Sequence, residues 1–318
     1  MPIDLQRGLI EFAYYIAPDG LQYPLFGGSR IWLSWQDFGM PPLDYLTERG
    51  PFQHGETVRD YRFRSRVVTL SLFEGGRCRQ DWYCHEGQLV DALRPNRSST
   101  AQGGKLLLVL PDYTEREIGA RITRGPSGNW NAEGSRLGAD LQETMQFFCA
   151  DPFWNDVHPV LVDAVIDIDS SCLPVCLPTC LGANIINQTF DVMYCGTWDG
   201  DTLTILITGP IQSPIVSNLI TGKQIKLNYV VAVGEAITID IQPNQVTVQN
   251  NYGVNLIGAV NNLSDLVTFG LAARGDLTAT GLNRINMIGS GGLAGVTSIA
   301  MTYLTRHVSV FDPCLDCG

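Results

Sequence analysis

Alternation of apolar and polar residues is the main pattern along this chain. It runs from Tyr61 to Leu72 and returns between Leu137 and Phe148. Successive side chains of a β-strand point to opposite faces of a sheet, so this pattern predicts strands with one solvated face. A short apolar run from Lys105 to Leu110 ends at a turn and leads into Glu115 to Thr123, and this predicts a hairpin.

One helix is predicted among these strands, from about Asp81 to Leu93. Apolar residues recur there at intervals of three and four, and Arg94-Pro95 ends the pattern. A further strand is predicted from Val160 to Asp169. The segment from Cys172 to Cys180 contains two prolines, which exclude a helix, so we expect an extended linker there.

From Leu181 onward, short β-branched runs alternate with turns rich in Gly and Asn. This arrangement is typical of an antiparallel sandwich or barrel. Gly291-Gly292 is interpreted as a hairpin turn rather than as part of a dinucleotide-binding loop, because the residues after it favour a strand and not a helix. The clearest predicted strands are Leu203 to Ile207, Ile225 to Tyr229, Ala236 to Asp240 and Gln245 to Val248.

These patterns predict a mainly β protein with two domains. Residues 1–156 form an N-terminal β-sandwich or barrel-like domain with one helix, residues 157–180 a linker, and residues 181–318 an antiparallel β-sandwich. A chain of 318 residues is also longer than a typical single domain. Charged residues make up 17% of the chain, below the roughly 25% of ordinary soluble domains, which fits a protein with much of its surface buried against partners.

Charge and composition exclude several classes of function. A net charge of −11 argues against a free duplex-DNA binder, which needs clustered Lys and Arg to neutralise phosphates. The stretch from Leu181 to Thr305 has few titratable side chains, no His and one Cys, Cys195, and so lacks the groups that hydrolysis requires. No signal peptide is visible and no apolar run reaches the length of a membrane span, so we expect neither.

Two groups of residues have the composition of a metal site. A tetrahedral zinc site could form from Cys314 and Cys317 with two of three linker cysteines, but disulfides and free thiols are alternatives, and free thiols are the default in the reducing cytoplasm. Three aspartates on one strand face could help bind calcium, although a solvated strand face explains them equally well. The residues are Cys172, Cys176, Cys180, Cys314 and Cys317, and Asp163, Asp167 and Asp169.

Two further groups are candidate binding residues. Trp198 beside Asp199 has the composition of a glycan site, although a core Trp at a strand end is the main alternative. Arg62, Arg64 and Arg66 are predicted to share one face of a strand. That arrangement favours a contact with acidic groups of a neighbouring subunit over a contact with DNA.

Several short elements follow one another in an order that resembles the distal tail proteins of long-tailed bacteriophages. The resemblance covers about residues 50–310. In the first half the order is Gln53-His54-Gly55, the strand through Arg66, a helix ending at Leu93-Arg94-Pro95, the hairpin, and Asp151-Pro152-Phe153-Trp154. In the second half the order is Gly209-Pro210 to Asn218, Thr221-Gly222, Gly234-Glu235, and Leu282-Asn283-Arg284-Ile285.

The resemblance implies a structural virion protein that forms a hexameric ring at the tail tip. The first domain would be the belt that continues the tail tube, and the second a galectin-like or carbohydrate-binding-module-like sandwich. The implied partners are the tail tube protein, the tail-tip hub and tape-measure proteins, and receptor-binding proteins. The resemblance implies no enzymatic activity, no cofactor and no specific nucleic-acid binding. The alternative is a carbohydrate-binding protein that recognises a host-surface glycan through its sandwich.

Overall fold

The protein folds into two compact units, and the chain visits the first of them twice. The first unit ends at Val157 and resumes at His307, while the second unit runs from His158 to Arg306. The predicted ranges 1–156, 157–180 and 181–318 stay a prediction. The structure, a computed structural model, describes residues 10–26, 31–75, 79–94, 103–126, 140–165, 185–243 and 245–311.

The first unit consists of antiparallel strands and one α-helix within the residues that the structure describes. Its helix is α1, Arg79–Ala92, and its last strand is β21, Arg306–His307, at the point where the chain returns. The other strands are β1 Phe12–Ile16, β2 Gln22–Phe26, β3 Ile31–Gln36, β4 Leu43–Glu48, β5 Thr57–Phe63, β6 Arg66–Gly75, β7 Gly104–Val109, β8 Glu115–Arg124, β9 Asp140–Cys149 and β10 Trp154–Asp156.

A nine-stranded sheet organises the first unit. Its strands lie in the order β2-β1-β7-β8-β9-β6-β3, and β10 pairs with both β8 and β21. Strands β4 and β5 form a separate two-stranded sheet. The predicted hairpin is confirmed as β7 and β8, and its turn is held by Asp112, whose carboxylate accepts a hydrogen bond from Thr114 N at 3.0 Å.

The predicted helix is confirmed as α1, which packs its apolar side against the nine-stranded sheet. Leu89, Ala92 and Leu93 are buried in one core with residues of β1, β6, β7, β8 and β9. Alternation decides which strand residues enter this core: Leu106 and Leu108 of β7 belong to it, while Leu107 between them points to the other face.

The single strand predicted from Tyr61 to Leu72 is wrong in one respect, because the chain forms two strands there. Strand β5 ends at Phe63 and pairs with β4, whereas β6 begins at Arg66 and pairs with β3 and β9. Between them, Arg64 N donates a hydrogen bond to Pro42 O at 2.8 Å. That bond fixes the bend and sends the two strands into different sheets.

The second unit is built from strands and one short 3-10 helix, Ile257–Ala259, within its described residues. The strands are β11 Val160–Val165, β12 Ile185–Met193, β13 Leu203–Thr208, β14 Ile211–Asn218, β15 Lys223–Lys226, β16 Val230–Val231, β17 Ala236–Gln242, β18 Gln245–Asn250, β19 Leu282–Ser290 and β20 Ser298–Tyr303.

Two five-stranded antiparallel sheets enclose the core of the second unit. One has the order β11-β20-β13-β17-β18, and the other has the order β12-β19-β14-β15 with β16 beside β14. Ile205 and Ile239 from the first sheet and Val216 and Met287 from the second belong to one buried cluster. The predicted strands within Leu203–Thr208, Ala236–Gln242 and Gln245–Asn250 are confirmed.

The predicted hairpin at Gly291-Gly292 is wrong, because the strands on either side of it lie in different sheets. Strand β19 pairs with β12 and β14, whereas β20 pairs with β11 and β13. The connection is held by buried Thr297, whose hydroxyl donates to Pro210 O at 2.8 Å and accepts from Leu293 N at 2.9 Å.

The predicted fold class is confirmed: the protein is mainly β, with antiparallel sheets and a second unit that is a β-sandwich. None of the described sheets closes on itself. Among the described helices, none is long and apolar enough to cross a membrane.

Candidate assembly surface

The segment from Leu43 to Arg64, which we call the arm hairpin, contains the two-stranded sheet β4–β5 and carries two of the three arginines predicted to form a subunit contact. Arg62 lies 3.8 Å from Asp44, and Arg64 forms a closer ion pair with the same carboxylate. The hydrogen bond from Arg64 lowers the pKa of Asp44 below its usual value. Arg59 pairs with Glu48 at 2.6 Å further along the hairpin. The arm hairpin therefore presents paired charges on an exposed surface.

Arg66, the third arginine, lies elsewhere, so the predicted shared face is wrong. Arg66 is 0% exposed. Its guanidinium donates hydrogen bonds to Asp37 O at 3.1 Å, Gly39 O at 3.0 Å and Val308 O at 2.8 Å. Burial lowers the pKa of Arg66 to about 10. Arg66 therefore packs inside the first unit. An interface role for Arg62 and Arg64 stays a prediction.

A second buried arginine, Arg116 of β8, was not predicted from the sequence. It is 5% exposed and donates hydrogen bonds to Val310 O and, at 3.4 Å, to Ser309 O. Its Nε lies 3.3 Å from Asp156 Oδ1. The same carboxylate oxygen lies 3.1 Å from Nε2 of buried His307.

Both arginines hold residues 307–311, which we call the return segment. Val310 is 0% exposed and belongs to the core of the first unit. Its N–H donates to Phe38 O at 3.1 Å, and the Phe38 ring packs edge-on against Trp154 with centroids 5.5 Å apart. The return segment therefore completes both the core and the hydrogen bonding of the first unit.

An apolar groove lies on the face of the nine-stranded sheet that is turned away from α1. We call it the outer groove. It has a volume of about 460 Å³ and is formed by residues of β1, β2, β7 and β8 and of the turn after β7. The rings of Phe12 and Tyr14 lie side by side in it, with centroids 6.4 Å apart. The lining residues are Phe12, Tyr14, Ile16, Gln22, Leu107, Val109, Tyr113, Glu115, Glu117 and Val157.

In the second unit, Trp198 and Asp199 have structural contacts. Trp198 is half-buried, and its N–H donates to Arg306 O at 3.2 Å while its carbonyl accepts a hydrogen bond from Tyr194 at 2.8 Å. Asp199 Oδ1 accepts from Ala273 N at 3.0 Å. These contacts hold a turn, and the glycan-binding role of the pair stays a prediction.

Asn218, Glu235 and Asn283 belong to the short elements of the second half that carry the family resemblance, and all three are buried in the sandwich. Asn283 is 0% exposed and makes four hydrogen bonds: it accepts from Asn218 Nδ2 and Ala272 N and donates to Ala272 O and Gly281 O. This amide joins β14, β19 and the loop before β19 in one network.

Glu235 forms a comparable network at the turn before β17. Its carboxylate accepts hydrogen bonds from Ala232 N at 3.0 Å, Tyr229 Oη at 2.8 Å and Asn250 Nδ2 at 2.8 Å. The bond from Ala232 N is the main cause that lowers the pKa of Glu235 below its ordinary value. Glu235 and Asn283 therefore stabilise turns of the sandwich.

The metal hypotheses mostly concern residues outside the described part of the chain. Within the described part, no three His, Cys, Asp or Glu side chains are grouped as metal ligands. Cys84 and Cys149 are free, whereas Cys195 forms a disulfide, so free thiols as the general state are wrong for Cys195. Asp163 lies on β11. The residues outside are Cys172, Cys176, Cys180, Cys314, Cys317, Asp167 and Asp169.

Comparison with solved structures identifies the fold. The Dit protein (gp 19.1) of phage SPP1, described as a paradigm of the hub adsorption apparatus of phages that infect Gram-positive bacteria, matches with a TM-score of 0.60 and 12% identity. The match covers 93% of this chain and 98% of that chain. The chain has the fold of a phage distal tail protein. No model of a protein family matches it, and no curated protein does.

This distal-tail fold spans both units, since so little of either chain lies outside the match. Two structures of the phage p2 baseplate in its activated conformation, one with Ca and one with Sr, also match. Each has a TM-score of 0.45, the identities are 9% and 10%, and the coverage is 94% of this chain and 99% of the matched chains.

Proposed function

We propose that this protein forms a hexameric ring at the distal end of a phage tail and joins the tail tube to tail-tip and host-recognition proteins. The observation that carries the proposal is the likeness to the SPP1 Dit protein, which covers 93% of this chain and 98% of that one. A likeness over both units supports a role that uses the whole chain rather than one domain.

The arm hairpin supports an assembly role on physical grounds. A two-stranded hairpin is marginally stable in water when nothing covers it. Tyr45, Val58 and Tyr61 on this hairpin are 59%, 58% and 49% exposed, and exposed apolar groups that lie together mark interaction surfaces. A neighbouring subunit that covers them would stabilise both partners.

The proposed location is the virion, at the tail tip, after assembly in the host cytoplasm. The proposed partners are further copies of this chain, the tail tube protein, the tail-tip hub and tape-measure proteins, and receptor-binding proteins. We propose a structural role without catalytic activity. In such a ring, heterologous contacts between identical subunits close when the rotation between neighbours is a whole fraction of a turn.

The ring is tested by measuring the mass of the full-length protein by light scattering over a wide range of concentration. We expect a species of six times the subunit mass of 34.9 kDa, and rings in negatively stained electron micrographs of the same sample. A uniform monomer at every concentration, with no rings in the micrographs, contradicts the proposal.

The alternative function, recognition of a host-surface glycan by the second unit, is tested separately with Trp198→Ala. The contacts of Trp198 and Asp199 within their own unit lead us to expect the same glycan-array signal for the variant and the wild type. A signal that the wild type gives and the variant loses, while the variant still forms rings, establishes glycan binding beside the hub role.

A further inference from the structure

The tip of the arm hairpin presents an aromatic side chain to solvent in a fixed turn. Phe52 is 98% exposed. The turn around it is held by Gln53, whose N–H donates to Gly50 O at 3.1 Å and whose Oε1 accepts from Gly50 N at 3.1 Å. Gln53 Nε2 also donates to Thr57 Oγ1 at 2.7 Å. The turn that carries Phe52 is therefore fixed before any partner binds, which lowers the entropy that binding costs.

The base of the arm hairpin is anchored to the first unit by aromatic contacts. The ring of Phe63 packs edge-on against Phe153 with centroids 5.5 Å apart, and Tyr61 packs on Phe63 at 5.9 Å. Phe153 is buried. The arm hairpin is thus tied to the core at one end, while the other end carries Phe52.

The outer groove has the shape and chemistry to receive such a ring. Its volume of about 460 Å³ lies within the range of ligand pockets, roughly 300–1,000 Å³. The rings of Phe12 and Tyr14 lie in it beside Leu107 and Val109, each of which keeps 8% exposure. These surfaces would gain further burial from an inserted phenyl ring.

Charge at the two sites is complementary. Arg49, three residues before Phe52, is exposed. The outer groove is lined on one side by Glu115 and Glu117, and Glu117 also pairs with Lys105 at 2.7 Å. The tip of the arm hairpin thus carries a cation beside an aromatic side chain, and the outer groove has an aromatic floor and an acidic side.

We propose that Phe52 of one copy of this chain inserts into the outer groove of a neighbouring copy, with Arg49 beside Glu115. The outer groove would be occupied by a second copy of this chain, because the first unit carries both parts of the contact, the Phe52 side chain and the groove. Since Phe52 is almost fully exposed, it does not fill the groove of its own chain. The inference rests on the proposed ring, for which it supplies a heterologous contact that repeats from subunit to subunit.

The test uses the full-length protein with the photoreactive residue p-benzoylphenylalanine in place of Phe52. This variant is mixed with wild-type protein labelled with heavy isotopes and then irradiated, and cross-linked peptides are mapped by mass spectrometry. We expect cross-links from position 52 to labelled peptides that contain Tyr14, Leu107 or Val109. The control carries the same residue in place of Tyr252, which is 69% exposed in the second unit and should give no such product.

Substitutions then separate the inference from the proposed function. Phe52→Ala is expected to weaken self-association about 30-fold, the effect of losing one hot-spot side chain. Arg49→Glu and Glu115→Arg should each weaken it up to about fivefold, and combining them should restore part of the loss.

Each outcome decides the inference. Cross-links from position 52 that reach only the same chain or another surface overturn it, as does a Phe52→Ala variant that associates like the wild type. If rings persist in either case, the hub function stands without this contact. If the wild type forms no rings and the photoreactive variant gives no cross-link between copies, the inference and the proposed function fail together.

Discussion

The two units satisfy their buried polar side chains in different ways. In the first unit, the guanidinium groups of Arg66 and Arg116 bind backbone carbonyls, two of which belong to Val308 and Val310 far along the chain. In the second unit the buried groups are mainly amides, such as Asn283, that bind turns of the same sandwich. The buried arginines of the first unit therefore hold one segment that is distant in sequence, whereas in the second unit amides share the buried polar contacts with Glu235 and Arg306.

The difference matters because a buried charge that loses its partners is far more costly than a buried amide that does. The first unit concentrates this risk on the return segment, since both arginines bind it. The second unit spreads its polar contacts over several turns, including those of Glu235 and Asn283. We therefore expect the two units to respond very differently to the loss of one contact.

The largest effect is expected from removal of residues 307 onward. The first unit would lose the buried side chain of Val310, the carbonyl partners of Arg116 and one of the three carbonyl partners of Arg66, at a cost of more than about 5 kcal/mol. Hydrogen exchange measured by mass spectrometry should show unprotected peptides from β7 and β9 and protected peptides from β13 and β17. Equal protection of β7 in the truncated and full-length proteins contradicts a completing role for the return segment.

Arg66→Met should come next, with a loss of about 3–5 kcal/mol in the unfolding free energy of the first unit. Three carbonyls lose their donor, and a methionine cannot replace it. The matched control is Arg64→Met, two residues away and exposed, which we expect to change the urea midpoint by no more than the experimental error. Similar losses in the two variants would mean that burial does not distinguish the two sites.

A smaller effect is expected in the second unit from Asn283→Asp, about 2–3 kcal/mol. The carboxylate keeps the acceptor but loses the N–H groups that bind Ala272 O and Gly281 O. The control is Asn255→Asp at an exposed site, where the side chain only accepts a hydrogen bond from Ile257 N. Thermal unfolding followed by calorimetry compares the two variants, and equal shifts would rule out the four-bond network as the cause.

The smallest effect is a dependence of the second unit on pH through Glu235. Its folded pKa is lowered, so the carboxylate contributes stability that is complete above its unfolded pKa of about 4.5. That contribution is lost as the pH falls through the lower folded pKa. Glu235→Gln should flatten the acid limb of a stability profile below about pH 4.5. The exposed control Asp276→Asn should leave the shape of that limb unchanged.

The sequence predicted local elements better than contacts between distant segments. Helix α1 and the β7–β8 hairpin follow from periodicity and turn residues close in the chain. The buried position of Arg66 was in principle detectable, because Arg66 has the same parity as Val68 and Leu70, which point into the core. Arg116 likewise shares its parity with buried Ile118. Arginine in an alternating run is nevertheless expected to be solvated, since burial of a charge is costly.

Other parts of the structure had no local signal. The return segment contacts β6 and β8, whose Arg66 and Arg116 lie more than half the chain away in sequence, and nothing in its own composition identifies the unit that it joins. Gly291-Gly292 has the residues of a hairpin turn. Strand β20 nevertheless joins the other sheet, because it pairs with β11 and β13. For the candidate surface, the sequence indicated Arg62 and Arg64, whereas Phe52 and the outer groove appeared only with the tertiary structure.

The path of the chain has a consequence for the order of events at the ribosome. The strands that carry Arg66 and Arg116 emerge early, but the carbonyls of the return segment emerge only after the whole second unit has been synthesised. Until then both guanidinium groups keep their water, and residues 158–306 of the second unit, which form one stretch of the chain, can fold first. The part of the protein that is made first is therefore the last to be finished, and a nascent chain released too early carries an unfinished first unit.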